Sequence, residues 1–310
     1  MKLKEIVKDI DIVGMSADAE LEISGISYDS RKTKQGDIFV AITGFESDGY
    51  NYIPSAAQKG AAVVFCEKKP QIDIPYVIVS DCRYALAILS RNFFGNPAGE
   101  MKIIGITGTN GKTTTTYILK HLLEAKLDAK VGLVGTNGNM IGDELIHTER
   151  TTPESYELQQ LFREMADAGC THVVMEVSSH SLVLNRVAGI EFEVGVFTNL
   201  TQDPLDFHHT MEEYAEAKAK LFTMCKTGCI NADDEWHNKM CENASCKLIK
   251  FSAERNDADL VAKDIRLSAA GVRFCAVTEK GLEFIKLAIP GKFSVYNALG
   301  VTAVCLALGI

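Results

Sequence analysis

The segment Gly108-Thr-Asn-Gly-Lys-Thr-Thr-Thr115 constrains the fold of this chain more than any other feature. It follows an apolar, β-branched run at 102–107 and precedes a helical pattern at 113–126, which is the context that a phosphate-binding loop requires. Gly108 and Gly111 allow a tight turn whose backbone N–H groups point at phosphate oxygens, and the helix start adds partial positive charge. The segment therefore predicts nucleotide binding in an α/β domain.

Two side chains of this loop have predictable tasks. Lys112 can reach the β- and γ-phosphates, and the Thr113 hydroxyl can ligate Mg²⁺. The loop departs from the common G-x-x-x-x-G-K-[ST] pattern, because Ile106 stands at the position of the first glycine. The alternative is a glycine-rich turn with a solvated lysine, and the strand, Gly-Lys-Thr and helix together argue against it.

The rest of the chain shows two styles of organisation. Residues 1–98 contain short β-branched runs and helical patterns typical of a small α/β domain, and Gly95-Asn-Pro-Ala-Gly-Glu100 marks its end. Residues 99–310 alternate strands and helices, which predicts a mostly parallel sheet covered on both faces. From about residue 260, Ala-Ala-Gly and Glu-Lys-Gly turns predict a hairpin-rich end to this P-loop NTPase-like domain.

Polar residues at the ends of predicted strands are candidates for the site, because parallel sheets bind ligands at the carboxyl ends of their strands. Glu176 is a carboxylate in an otherwise apolar strand and could hold the Mg²⁺ that Thr113 ligates; the alternative is an edge-strand glutamate facing water. His208 and His209 follow the next strand, where two adjacent histidines are ordinarily exposed. Lys218 and Lys220 have the pattern of a charged helix face.

Composition excludes several classes of function. The net charge of -9 speaks against a general nucleic-acid binder, and no apolar run approaches the roughly 18 residues of a membrane span. We expect a cytoplasmic monomer that contacts neither nucleic acid nor membrane. The nine cysteines are expected to be reduced thiols, and a zinc site in the Cys225–Cys246 stretch has unsuitable ligand spacing.

Several further motifs make the chain resemble the Mur ligases, specifically the branch that adds the third amino acid to the peptidoglycan stem peptide. The resemblance covers nearly the whole chain, and Glu-Val-Ser-Ser-His distinguishes it from MurF and folylpolyglutamate synthases. The motifs are Asp29-Ser-Arg31, Gly36-Asp-Ile-Phe-Val-Ala41, the loop at 108–114, Thr151-Thr-Pro-Glu154, Glu176-Val-Ser-Ser-His180, Thr198-Asn-Leu-Thr-Gln-Asp203, Ala217-Lys-x-x-Leu-Phe222 and Pro290-Gly-Lys-Phe-x-x-Tyr-Asn297.

The resemblance implies an ATP-dependent ligase in which the D-Glu carboxylate of UDP-MurNAc-L-Ala-D-Glu is phosphorylated and then attacked by an amine. It implies ATP binding by Gly108, Thr109, Asn110, Gly111, Lys112, Thr113, Thr114 and Asn297. It implies substrate binding by Ser30, Phe45, Glu46, Ser47, Thr151, Thr152, Ser178 and Arg186. It further implies that Thr113, Glu176, His208 and a carbamoylated Lys218 bind Mg²⁺. It also implies that Lys112, Glu176, His208 and Lys218 are catalytic.

Some features depart from the family pattern. Pro204 replaces a usual histidine, and the carboxyl-terminal domain that in the family binds the incoming amino acid, diaminopimelate or lysine, is absent from the sequence. We therefore expect binding of both nucleotides with little ligation, and a chain that continues in the natural protein. The alternatives are a natural two-domain nucleotide and UDP-sugar binder without ligase activity, another Mur-type ligase such as MurF, or a P-loop kinase, which would not require Asp29-Ser-Arg31.

Overall fold

A computed structural model describes residues 1–44, 47–148, 150–202 and 208–310. The chain forms two compact units. The first contains residues 1–97 together with the later segments 153–164 and 184–189, and the second contains the remainder. The sequence predicts one boundary after residue 98, and the two later segments follow that boundary in sequence although they pack in the first unit. None of the described helices is long and apolar enough to cross a membrane.

The first unit is built on a five-stranded sheet. Its strands are β1 (Ile12–Met15), β2 (Gly25–Ser27), β3 (Asp37–Val40), β4 (Val63–Cys66) and β5 (Tyr76–Val79), and its helices are α1 (Leu3–Ile6), α2 (Ile53–Gln58) and α3 (Cys82–Phe93). The order is β1-β5-β4-β3-β2, with β1 antiparallel to β5 and the other neighbours parallel. Because β3 and β4 are buried along their whole length, the unit has an apolar core on both sheet faces.

The second unit is built on an eleven-stranded sheet. Its strands are β6 (Lys102–Thr107), β7 (Lys130–Val134), β8 (Asn139–Ile141), β9 (Glu144–Ile146), β10 (Cys170–Glu176), β11 (Phe192–Phe197), β12 (Cys225–Asn231), β13 (Lys247–Ser252), β14 (Leu260–Ser268), β15 (Gly271–Thr278) and β16 (Gly281–Leu287). The order is β16-β15-β14-β13-β12-β11-β6-β10-β7-β8-β9. The neighbours from β14 to β7 are parallel, and both ends are antiparallel. The predicted fold class is confirmed.

Six further α-helices follow in chain order within the described residues. They are α4 (Lys112–Leu127), α5 (Ser155–Asp167), α6 (Ser179–Val183), α7 (Met211–Ala219), α8 (His237–Glu242) and α9 (Lys292–Leu308). Helices α4 and α9 pack against each other and cover the same core as the central strands. Strands β6, β10 and β11 carry mainly Val and Ile into this core, and β6 and β10 each end on a buried polar residue, Thr107 and Glu176.

Four details differ from the sequence-based predictions. The motif Thr151-Thr-Pro-Glu154 suits a helix start with Pro153 as the first helical residue, whereas α5 begins at Ser155. The pattern around Lys218 and Lys220 predicts a helix over 212–224, whereas α7 ends at Ala219 and tightens into a 3₁₀ turn at 220–223, as helix ends often do. The apolar run Cys229-Ile-Asn-Ala232 predicts a strand that begins at Cys229, whereas β12 begins at Cys225. The β8–β9 hairpin was not predicted, because strands of three residues are too short to show an alternating pattern.

We predict that acid lowers the stability of the second unit, because His172 is buried there. Burial, and secondarily the charge of Lys102, lowers the pKa of His172 below its ordinary value of 6.5. The unfolded state therefore binds the proton more readily, so stability falls as the pH drops through 6.5 and levels off below the lowered native pKa. We expect His172→Gln to flatten this dependence in urea unfolding, whereas the exposed control His121→Gln retains it. Equal pH slopes for both variants would contradict the assignment.

Candidate active site

The loop after β6 turns tightly and leads directly into α4. Gly111 precedes the helix in a left-handed conformation, with φ of 86°, which favours glycine. Lys112 Nζ folds back over the loop and donates to the carbonyl oxygens of Gly108 and Thr109, at 2.9 and 2.8 Å. The lysine charge therefore lies over the loop, beside the N–H groups that begin α4.

Residues after β11 hold this loop in place. Thr109 N donates to Asn199 O at 2.8 Å, and Asn110 N donates to Asn199 Oδ1 at 3.0 Å. Thr198 Oγ1 donates to Asn110 O at 2.7 Å. A β-carbon at position 108 would overlap Thr198 Oγ1, so glycine is needed there. The part that Asn199 has in fixing the loop was not predicted from the sequence, because it depends on contacts between residues about 90 positions apart.

Glu176 lies at the carboxyl end of β10, opposite the loop. Its Oε1 accepts from Thr113 Oγ1 at 2.9 Å and from Thr136 N at 3.0 Å, and its Oε2 accepts from Thr136 Oγ1 at 3.1 Å. Strand β10 is internal and Glu176 is 1% exposed, so the edge-strand alternative is wrong. A β-carbon on Gly135 would come within 2.6 Å of Oε1. Thr113 and Glu176 thus present hard oxygen donors in a confined space, which suits Mg²⁺.

Lys218 is buried, although its pattern favours a charged helix face. It is 1% exposed, Nζ donates to Gly108 O at 2.9 Å, and Nζ lies 4.3 Å from the centre of the Tyr214 ring. The His208 ring lies 5.1 Å from the Tyr214 ring and 6.0 Å from the His180 ring. Lys218 therefore contacts the phosphate loop itself, and the pattern-based interpretation is wrong for this residue.

His208 is also buried, in contrast to the usual exposure of paired loop histidines. Burial lowers the pKa of His208, and the charges of His180 and Lys218 lower that pKa further. A lowered pKa favours the neutral imidazole, which is the form that ligates metals. His209, by comparison, is exposed and lies two residues before α7 begins.

Three of the predicted substrate residues belong to the second unit and form a network with Glu176. Thr151 Oγ1 lies 3.0 Å from Thr136 Oγ1. Thr152 Oγ1 donates to Glu176 O at 2.9 Å and accepts from Ser178 N at 3.2 Å. Thr136, which bridges Glu176 and Thr151, was missed because an isolated threonine after a strand carries no sequence signal.

The other predicted substrate residues belong to the first unit. Arg186 Nε lies 3.3 Å from Glu154 Oε2, Ser30 is buried, and Ser47 is exposed. Phe45 and Glu46 lie outside the described residues. The substrate roles of all these residues stay predictions.

A pocket of about 220 Å³ adjoins the phosphate loop. Its lining includes Asn110, Gly111, Asp233, Phe293, Tyr296 and Asn297. Tyr296 OH donates to Asp233 Oδ2 at 3.1 Å, and burial together with the Asp233 charge raises the pKa of Tyr296, so the phenol stays protonated. Asn297 Oδ1 accepts from Thr115 Oγ1 at 3.4 Å. Aromatic and amide groups beside a phosphate loop suit a nucleotide base.

Comparison with known families agrees with this arrangement. A family model described as "Mur ligase middle domain" matches residues 106–305, and one described as "Mur ligase family, catalytic domain" matches residues 22–94. The chain belongs to the Mur ligase family. The first match contains the loop at 108–114 and also contains Glu176, His208 and Lys218.

This Mur ligase is similar to enzymes named UDP-N-acetylmuramoyl-L-alanyl-D-glutamate–2,6-diaminopimelate ligase. The Clostridium botulinum relative is 47% identical over 100% of this chain and 65% of its own length. The Clostridium acetobutylicum relative is 46% identical over 100% of this chain and 64% of its own length. A solved structure with the same name has a TM-score of 0.89 and 30% identity, and covers 100% of this chain and 64% of its own. The chain is thus a MurE homologue that spans about 65% of the length of these relatives.

Proposed function

We propose that this chain is the ATP-binding and UDP-substrate-binding part of a MurE-type ligase, which adds 2,6-diaminopimelate to UDP-MurNAc-L-Ala-D-Glu. The observation that carries the proposal is the 2.9 Å contact between Thr113 and Glu176, directly after the loop covered by Lys112. The names of the relatives support the substrate and the amino acid.

The loop residues have distinct tasks in this proposal. Residues 108–114 bind the phosphates of ATP through their N–H groups, and Lys112 exchanges its two carbonyl partners for β- and γ-phosphate oxygens. Asn297 and the neighbouring pocket take the adenine. Because the loop is fixed by Asn199 before ATP arrives, little conformational entropy is lost on binding.

Thr113, Glu176 and His208 would hold Mg²⁺, together with Lys218 as its carbamate. The metal, when bound, offsets the repulsion between the triphosphate and the substrate carboxylate. As an ammonium group Lys218 cannot ligate a cation, whereas the carbamate adds an anionic oxygen donor. The 2.9 Å contact between Lys218 Nζ and Gly108 O supports this role, because it lies at the phosphate loop.

The proposed reaction has two steps. The D-Glu carboxylate attacks the γ-phosphorus of ATP and releases ADP, and the amine of diaminopimelate then displaces phosphate from the acyl phosphate to form the amide. Thr151, Thr152, Ser178 and Arg186 would orient the dipeptide, and Ser30 with residues 45–47 would bind the uridine nucleotide. Because the chain spans about 65% of its relatives, we expect binding by the chain alone with little ligation.

Calorimetric titration tests the proposal. The chain should bind ATP with Mg²⁺ and UDP-MurNAc-L-Ala-D-Glu in separate titrations, and UDP-GlcNAc should bind more weakly than the dipeptide substrate. Binding of ATP without binding of the dipeptide substrate would contradict the ligase assignment and favour another P-loop enzyme.

Lys218 should form a carbamate when bicarbonate is present. The neutral amine attacks CO₂, an N–C bond forms, and the amine loses a proton. We expect a carbamate resonance in the ¹³C spectrum with labelled bicarbonate and its disappearance in Lys218→Arg, which keeps the charge but cannot react in this way. A spectrum without a carbamate at high bicarbonate, or an unchanged resonance in the variant, would contradict the prediction.

A further inference from the structure

The ribbon formed by β14, β15 and β16 has two different faces. One face carries buried Ala262, Val272 and Phe274 into the core beneath α9. Residues directly opposite each other on neighbouring strands share a face. The register therefore places Lys263, Arg266, Arg273, Leu282, Phe284 and Lys286 together on the other side, which we name the outer ribbon face.

A row of three cations crosses this face. Arg266 lies opposite Arg273, and Arg273 lies opposite Lys286. A bulge between Lys263 and Arg266 brings a fourth cation to the same face. All four are exposed, and none of them forms an ion pair within the described residues. Like charges placed directly opposite each other destabilise a sheet, so this row lowers the stability of the ribbon. An anionic partner bound to the row would offset the repulsion.

The outermost strand of the ribbon also exposes apolar side chains. Phe284 is 84% exposed and Leu282 is 57% exposed, and both share the outer face with Lys286. Strand β16 ends the sheet order, so its far edge has no neighbouring strand in the described part of the chain. An open edge with exposed apolar side chains is a site at which another strand can pair.

We propose that the free edge of β16 takes an extended segment of a partner protein as an additional strand. Apolar side chains of that segment would lie against Leu282 and Phe284, and acidic side chains would lie beside Lys286 at the end of the cation row. Backbone pairing would satisfy the edge, and the charges would select the partner. A lipid surface or a nucleic acid would satisfy the cations but not the backbone groups of the edge, and both would meet a chain of net charge -9.

The test uses two labelled, end-blocked octapeptides as probes, Thr-Val-Thr-Val-Thr-Glu-Thr-Glu and its reversed sequence, with matched peptides that carry Lys in place of Glu. Fluorescence anisotropy should show binding of at least one acidic peptide and at least about tenfold weaker binding of its lysine counterpart. Arg273→Glu and Phe284→Ala should each weaken binding several-fold. The control Lys126→Glu, on α4, makes the same charge change as Arg273→Glu and should leave binding unchanged.

Hydrogen exchange should show protection of β16 amides when the acidic peptide binds. Arg273→Glu places an anion between two cations, so its unfolding temperature should equal or exceed that of the unaltered chain, which separates loss of binding from loss of fold. Equal binding of the lysine peptides, or unchanged exchange at β16, would overturn the proposal. Tighter binding to vesicles with 30% anionic phospholipid than to the acidic peptide would overturn the proposal in favour of a membrane. Dimers of the chain that Phe284→Ala abolishes would overturn it in favour of a second copy of this chain.

Discussion

Lys112→Ala should weaken the binding of ATP with Mg²⁺ by about 100-fold or more, which corresponds to about 2.7 kcal/mol. Lys112 Nζ is held at the loop by two carbonyl groups, and in the proposed function it contacts the β- and γ-phosphates. Each hydrogen bond to a charged group contributes about 1.5–3 kcal/mol, so loss of two such bonds accounts for the effect. Isothermal titration calorimetry at fixed Mg²⁺ measures it.

Two controls accompany this variant. The same protein should bind UDP-MurNAc-L-Ala-D-Glu with unchanged affinity, because the proposed uridine-binding residues belong to the first unit. Lys220→Ala removes an exposed lysine from the 3₁₀ turn after α7 and should leave ATP binding unaltered. An unchanged ATP affinity in Lys112→Ala would refute the assignment of the phosphate loop.

Phe251→Ala should lower the free energy of unfolding of the second unit by about 3–5 kcal/mol. Phe251 lies in β13 within the large apolar core, and its side chain is 1% exposed. Removal of the ring loses its transfer free energy and leaves a cavity that the surrounding sheet and α9 cannot fill. Urea unfolding followed by far-ultraviolet circular dichroism measures the change.

Phe284→Ala is the matched control for stability, since it removes the same ring from a position that is 84% exposed. This variant should change the free energy of unfolding by less than about 0.5 kcal/mol. Equal destabilisation by the two substitutions would show that burial in the core is not what distinguishes these positions.

Much of the fold and one part of the site could be predicted from sequence. The phosphate loop has a local pattern, because its strand, its glycines and the start of its helix are contiguous in the chain. The meeting of Thr113 with Glu176 also followed from a general rule, since parallel strands bring their carboxyl ends to one edge. Local pattern and sheet geometry were sufficient for these features.

The remaining features depend on contacts between distant residues. Lys218 has a surface pattern along α7, and the resemblance alone singled it out from Lys220; its burial against Gly108 requires the folded sheet. Thr136 has an ordinary environment in sequence, and its two bonds to Glu176 join positions 40 residues apart. Periodicity along one element cannot report which residues of another element will meet it.

The most direct test of the account is a crystal structure of the chain with a non-hydrolysable ATP analogue and Mg²⁺. We expect the β- and γ-phosphates inside residues 108–114, Lys112 Nζ within hydrogen-bond distance of their oxygens, and the metal in contact with Thr113 and Glu176. A nucleotide bound elsewhere, or phosphates that contact neither Lys112 nor the metal held by Glu176, would contradict it.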